Sequence, residues 1–155
     1  MEREFSGYRF IDRIITPVSS QVEIEAISEA LISQDKFEGV SYHLREAMVK
    51  LSDKKAPDYR NSIKESISAI EALCREVTGE NTLGKALKKL EVNGIVINPQ
   101  LKSGIENIYN YTNHKETGIR HALMESPNLP TFDDAKFMLV ICSGFVNFVK
   151  GKMVK

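Results

Sequence analysis

The sequence predicts an all-α protein, an up-and-down helical bundle of about six helices with a short extended arm or hairpin at its start. Three observations carry that expectation. Apolar residues recur at three- and four-residue intervals through most of the chain. Helix-start chemistry at Ser20, Asn98-Pro99 and Thr131, and helix-stop chemistry at Pro57, Gly79 and Gly94, divide that pattern into helix-sized pieces. Strand-like residues gather only before Pro17.

In chain order, Tyr8, Phe10, Ile14 and Ile15 flank Asp12-Arg13, which reads as a small hairpin or an extended arm over residues 1–18. Two short strands are marginal alone, so the arm is expected to lie against something else. It suggests either a docking arm or the trimmed end of a longer protein, with residues 19–155 as one helical domain. Ser20-Gln21-Val22-Glu23 has capping-box spacing, and Val22, Ala26, Ile27, Ala30 and Leu31 continue a first helix to about Ser33. Val40, Leu44, Ala47, Met48 and Leu51 give a second, closed by Pro57.

The longest stripe is Ile63, Ile67, Ile70, Leu73, Cys74 and Val77, ended by Gly79, and it marks a central third helix. Arg60, Lys64 and Glu71 fall along one edge of that stripe. Glu71 is therefore expected to be half-buried and to need a cationic partner, which Arg75 can supply locally. A short helix from Thr82 carries Leu83, Ala86, Leu87 and Leu90. Asn98-Pro99 opens a fifth helix, with Leu101, Ile105, Ile108 and Tyr109 or Thr112 facing inward. Residues 126–130 contain two prolines and read as non-helical. The last helix, from a capped start at residues 131–134 to about Lys150, is apolar around almost its whole circumference, which fits a bundle centre or a dimer contact.

A chain of 155 residues, 42% hydrophobic, buries a sufficient core without disulfides or metals. Lys plus Arg and Asp plus Glu balance at 21 each, so no global basic field attracts nucleic acid and any phosphate binding must be local. Cys74 and Cys142 lie within apolar helical patterns, as buried thiols of a reducing, cytoplasmic setting do. No apolar run has the length of a membrane span, and the first residues lack the apolar core of a signal peptide.

Two of the three histidines gather in Tyr111-Thr112-Asn113-His114-Lys115-Glu116-Thr117-Gly118-Ile119-Arg120-His121. Gly118 permits a sharp turn and Ile119 resumes the apolar pattern, so this cluster is expected where a helix begins, a place suited to a phosphate or carboxylate. A zinc site from His43, His114 and His121 matches no ligand spacing, and no metal or other cofactor is expected. The cysteines are embedded too deeply in apolar sequence for nucleophilic work, and the scattered glycines make no phosphate loop. Arg120-His121 remains: an arginine that can clamp a phosphate beside a histidine that can move protons suits phosphodiester chemistry. The alternative is architectural, with Arg120 paired to Glu71 and His121 packed at a helix start.

Asp58-Tyr59-Arg60-Asn61-Ser62-Ile63-Lys64-Glu65-Ser66-Ile67, running on through Glu71 to Leu73, together with Gly118-Ile119-Arg120-His121-Ala122-Leu123 and Ala135-Lys136-Phe137-Met138-Leu139, resembles the C-terminal HEPN-like helical unit of AbiJ-type bacterial abortive-infection proteins. The similarity covers most of the chain, including Gly7-Tyr8-Arg9-Phe10. It implies a helical bundle, often dimeric, attached to a variable N-terminal effector domain and linked to phage defence. It also implies metal-independent RNA cleavage by attack of the ribose 2′-hydroxyl on the adjacent phosphate. In that family an arginine and a polar residue are followed four to six residues later by histidine. Here Arg60-Asn61 begins the motif, but Lys64, Glu65, Ser66 and Ile67 stand where histidine should follow, and His114 precedes Arg120 instead of following it.

The resemblance therefore implies an RNA-directed domain with Arg120 on phosphate, His121 as general acid or base and Glu71 orienting one of them. Arg60, Asn61, His114 and Lys115 complete the set of RNA or phosphate contacts. The alternative is a non-catalytic sensing or dimerisation module that serves an N-terminal effector domain. The expected partners are RNA and a second copy of the chain, with no membrane.

Overall fold

The computed structural model describes residues 8–32, 35–114, 119 and 129–153. Within them the chain forms strands β1 (Arg9–Ile11) and β2 (Ile14–Thr16), then helices α1 (Gln21–Leu31), α2 (Glu38–Ser52), α3 (Tyr59–Thr78), α4 (Leu83–Val92), α5 (Pro99–Asn113) and α6 (Phe132–Met153). The all-α bundle expected from the sequence is present, with one small antiparallel hairpin before it.

The hairpin pairs Ile11 with Ile14 across a two-residue turn. Asp12 (φ 47) and Arg13 (φ 67) both take left-handed backbone, the geometry whose twist matches that of the strands it joins. Its inner face, Ile11 and Thr16, is buried, and β2 packs on α2. Arg45 of α2 holds the turn by donating Nε–H to Asp12 Oδ2 at 2.7 Å. The support that two short strands require is thus provided by helix.

α1 begins at the expected place, but Ser20 makes no side-chain cap bond, and Val22 is exposed while Ile27, Ala30 and Leu31 are buried. α2 and α3 form an antiparallel hairpin around a turn organised by Asp53, whose carboxylate accepts the Lys55 and Ala56 N–H groups. Small residues let these helices approach closely. The Ser62 hydroxyl donates to the Ala47 carbonyl at 2.7 Å, and a side chain on Gly39 would meet Ala72 Cβ at 3.9 Å.

α3 is the central element and packs against α2, α4, α5 and α6. Asp58 caps its start by accepting the Asn61 N–H, and Gly79 ends it in the left-handed region (φ 74) with its N–H on the Arg75 carbonyl. Ile63, Ile67, Ile70 and Leu73 are buried beneath it, each side chain contributing roughly 1.5–3 kcal/mol by leaving water.

After α4 the segment Ile95-Val96-Ile97 alternates, with both isoleucines buried and Val96 exposed. Asn98 then caps α5 through the Gln100 N–H. Leu101, expected to face inward, is exposed; Ile105 and Thr112 are the buried residues of this helix. A position in the first turn can fall outside the groove even when it keeps the helical period.

Thr131 and Asp134 form a reciprocal capping box at the start of α6: the Thr131 N–H and hydroxyl reach Asp134 Oδ2, and the Asp134 N–H returns to Thr131 Oγ1. The helix runs on to Met153 and packs against α1, α2 and α3, which accounts for most of its apolar pattern, although Phe137 stays exposed. Its last turns supply the cation that α1 lacks, because Lys150 donates to the Ala30 and Ile32 carbonyls at the C-terminal end of that helix. No helix among the described residues is long and apolar enough to cross a membrane.

Candidate functional site

The helical period of α3 divides the residues singled out above. Arg60 and Glu71 lie eleven positions apart, about 20° around the helix, and share one edge; both are half-buried and both are engaged in interactions. Lys64 on the same edge is exposed, as is Arg75. Asn61 is turned about 100° from Arg60 and belongs to the opposite side. Its amide Nδ2–H₂ donates to Asp58 Oδ2 at 2.7 Å while its backbone N–H donates to Oδ1. Asn61 therefore serves the helix cap first.

His114 is the C-cap of α5, exposed, with its backbone N–H on the Asn110 carbonyl. Ile119, five residues on, is fully buried. Lys115, Arg120 and His121, together with the turn at Gly118 and the helix start expected there, lie outside the described residues. A cavity of about 360 Å³ opens between α5 and α6, lined by Ile108, Tyr111, Asp134 and Phe137 among others. Burial, with Asp134 adding its charge, pushes the Tyr111 phenol up.

An unanticipated pair stands on the other side of α3. His43 of α2 meets Glu65 of α3, Nδ1 to Oε2, at 2.6 Å, both side chains being partly buried. The ring of Tyr42 sits edge-on to that of His43 at 5.4 Å. Glu65 occupies a position where the family motif would carry histidine, and an imidazole reaches it from the neighbouring helix instead. The signal was present in the sequence: His43 and Glu65 are equidistant from the turn near Lys54, as are Ala47 and Ser62, and antiparallel helices joined by a short turn bring such positions together.

This seam continues toward the turn as Glu46, Lys50, Asp58 and Asn61. The hydrogen bond from Lys50 to Glu46 raises the Lys50 ammonium above its ordinary range against the opposing effect of burial, with the charges of Glu46, Glu65 and Asp58 adding to it. Three carboxylates against one lysine and one histidine make the seam a poor resting place for phosphate.

Both thiols are buried. Burial, with the Glu71 carboxylate adding to it, pushes Cys74 up to about 12, and burial alone pushes Cys142 up further. Neither is a nucleophile at neutral pH. Among the described residues no three of His, Cys, Asp or Glu converge to hold a metal ion. Comparison with protein-family models, with curated proteins and with solved structures finds no match to this chain.

Proposed function

We propose that the chain is a HEPN-like, defence-associated helical domain that acts on RNA. The observation that supports this reading is the place of the family-like stretch in the fold: residues 58–73 are the capped, central helix α3, with Arg60 and Glu71 half-buried at fixed spacing on one edge. In this reading Arg120 binds a backbone phosphate. His121 takes the proton of the ribose 2′-hydroxyl as that oxygen attacks the adjacent phosphorus, or returns one to the departing 5′-oxygen, and Glu71 orients the pair. The nucleophile belongs to the RNA itself.

A second reading, a non-catalytic sensing or dimerisation module serving an N-terminal effector domain, is favoured by one specific observation. Three of the four positions where histidine should follow Arg60-Asn61 are committed to structure: Glu65 holds His43, the Ser66 hydroxyl donates to the Ser62 carbonyl, and Ile67 is fully buried.

The readings separate in one experiment. The purified chain is incubated with single-stranded RNA and with tRNA, with and without EDTA, beside the R120A/H121A double variant and E71Q. The first reading expects EDTA-insensitive cleavage that both variants lose while their melting temperatures stay within a few degrees of the parent. Absence of cleavage, or equal cleavage by parent and double variant, removes the catalytic reading. Light scattering on the same samples then decides whether the module reading survives, since a strict monomer at high concentration opposes dimerisation.

A further inference from the structure

Away from α3, the C-terminal ends of α1 and α6 meet the 3₁₀ turn Asp35–Phe37. A cavity of about 290 Å³ opens there, walled by Ile32, Phe37 and Met153, with Glu29, Asn147, Lys150 and Gly151 completing the lining. That volume is at the lower end of the range of small-molecule sites.

Lys150 is the group that marks it. Its ammonium has three donors, and two are used on the Ala30 and Ile32 carbonyls at 3.4 and 3.1 Å. These are neutral acceptors, and no carboxylate among the described residues lies within ion-pair distance. The ammonium also lies 5.4 Å from the centre of the Phe37 ring, which Lys36 approaches at 4.8 Å, so two cations converge on one buried aromatic. Burial pushes the Lys150 ammonium below its ordinary range, and only the charge of Glu29 opposes this. Anchoring α1 explains two of the three donors. It does not explain the apolar cavity beside the ammonium.

We propose that this cavity binds a small monocarboxylate with an apolar tail. The carboxylate takes the remaining Lys150 donor, while the tail lies against Ile32, Phe37 and Met153. Glu29 on the same wall disfavours a second negative charge, which selects a monoanion over a dicarboxylate or a phosphate ester. The proposed contacts include none of Arg120, His121 and Glu71, so the proposal stands whether or not the chain acts on RNA.

The test is calorimetric titration of the whole chain with octanoate, octan-1-ol and octylamine. Two variants accompany it. K150M keeps the side-chain stem and deletes the charge. G151L places a side chain where a Cβ meets nothing within 4 Å, on the cavity lining and in a helix that tolerates leucine. K152M serves as control, because Lys152 stacks on Phe148 and does not line this cavity.

The expected result is one octanoate per chain, with binding weakened at least about tenfold in K150M and in G151L and unchanged in K152M, consistent with loss of a charge-assisted hydrogen bond. Octylamine should not bind. An absence of octanoate binding, equal affinity for octanol, preference for octylamine, or octanoate binding that survives G151L overturns the proposal. If K150M fails to fold because α1 has lost its anchor, G151L decides alone.

Discussion

Replacing Asp58 tests whether the central helix depends on its cap. Its carboxylate accepts the Asn61 backbone N–H at 3.0 Å and the Asn61 amide at 2.7 Å, and its own backbone N–H binds the Lys50 carbonyl across the α2–α3 turn. Burial works against the Asp58 charge. The two bonds from Asn61, with Lys50 and Arg60 adding their charges, outweigh it and hold the carboxyl below its ordinary value of 3.8. D58A removes both side-chain bonds while leaving the backbone bond to Lys50, so the expected loss is that of an N-cap, about 1 kcal/mol. For a chain of this size that is a fall of roughly 2–4 °C in melting temperature.

The sign of the pH dependence follows from the direction of the shift. A carboxyl whose folded pKa is depressed contributes stability that is fully present above its unfolded value, here 3.8, and is lost as pH falls through the folded value. Urea denaturation of parent, D58A and D58N at pH 7 and through the acid range measures this. At pH 7, D58A is destabilised and D58N, which still caps, much less so. As pH falls from 3.8 through the lower folded value the gap between parent and D58A narrows, and it is smallest once the parent's cap is protonated. A gap that is absent at pH 7, or that is unchanged on acidification, refutes the assignment of the cap to the ionised carboxylate.

Gly79 and the thiols offer two further tests. G79A meets no atom within 4 Å of its new Cβ, so its cost is purely that of holding alanine at φ 74, about 1 kcal/mol in thermal or urea unfolding; a neutral or stabilising change would show that the C-terminal turn of α3 relaxes instead. Cys74 and Cys142 are buried with raised thiol pKa values, so iodoacetamide at pH 8 should modify neither in the folded chain and both in urea, as read by intact mass. Rapid labelling of the folded chain would contradict the packing around both.

What the sequence disclosed depended on the range of the interaction. Helix starts and stops are decided within a few residues, so Asn98, Gly79 and the capped start at Thr131–Asp134 are all legible. Ser20 has the right spacing and makes no cap bond, because spacing states that a bond can form and competition with water decides whether it does. Leu101 and Val22 follow the helical period yet are exposed, since the period fixes a face and neighbouring elements fix how far along the helix that face is covered. The His43–Glu65 pair cannot be read from either helix alone. It becomes visible only when α2 and α3 are folded against each other about their shared turn.

That same fold constrains how α3 can meet a phosphate. Arg60 and Asn61 are neighbours in sequence, but the helix turns them about 100° apart and the Asn61 amide is spent on Asp58. They cannot close on one phosphate as a pair. On the Asn61 side lie Glu46, Asp58 and Glu65, whose negative charge opposes an anion; on the Arg60 side lie Lys64 and Glu71, with cations outnumbering the acid. Any RNA contact made by this helix therefore runs through the Arg60–Glu71 edge, and the His43 seam belongs to the joining of α2 to α3. A ribonuclease reading that depended on Asn61, or on histidine placed within α3, would conflict with the helix geometry. The reading that draws its arginine and histidine from positions 120 and 121 does not.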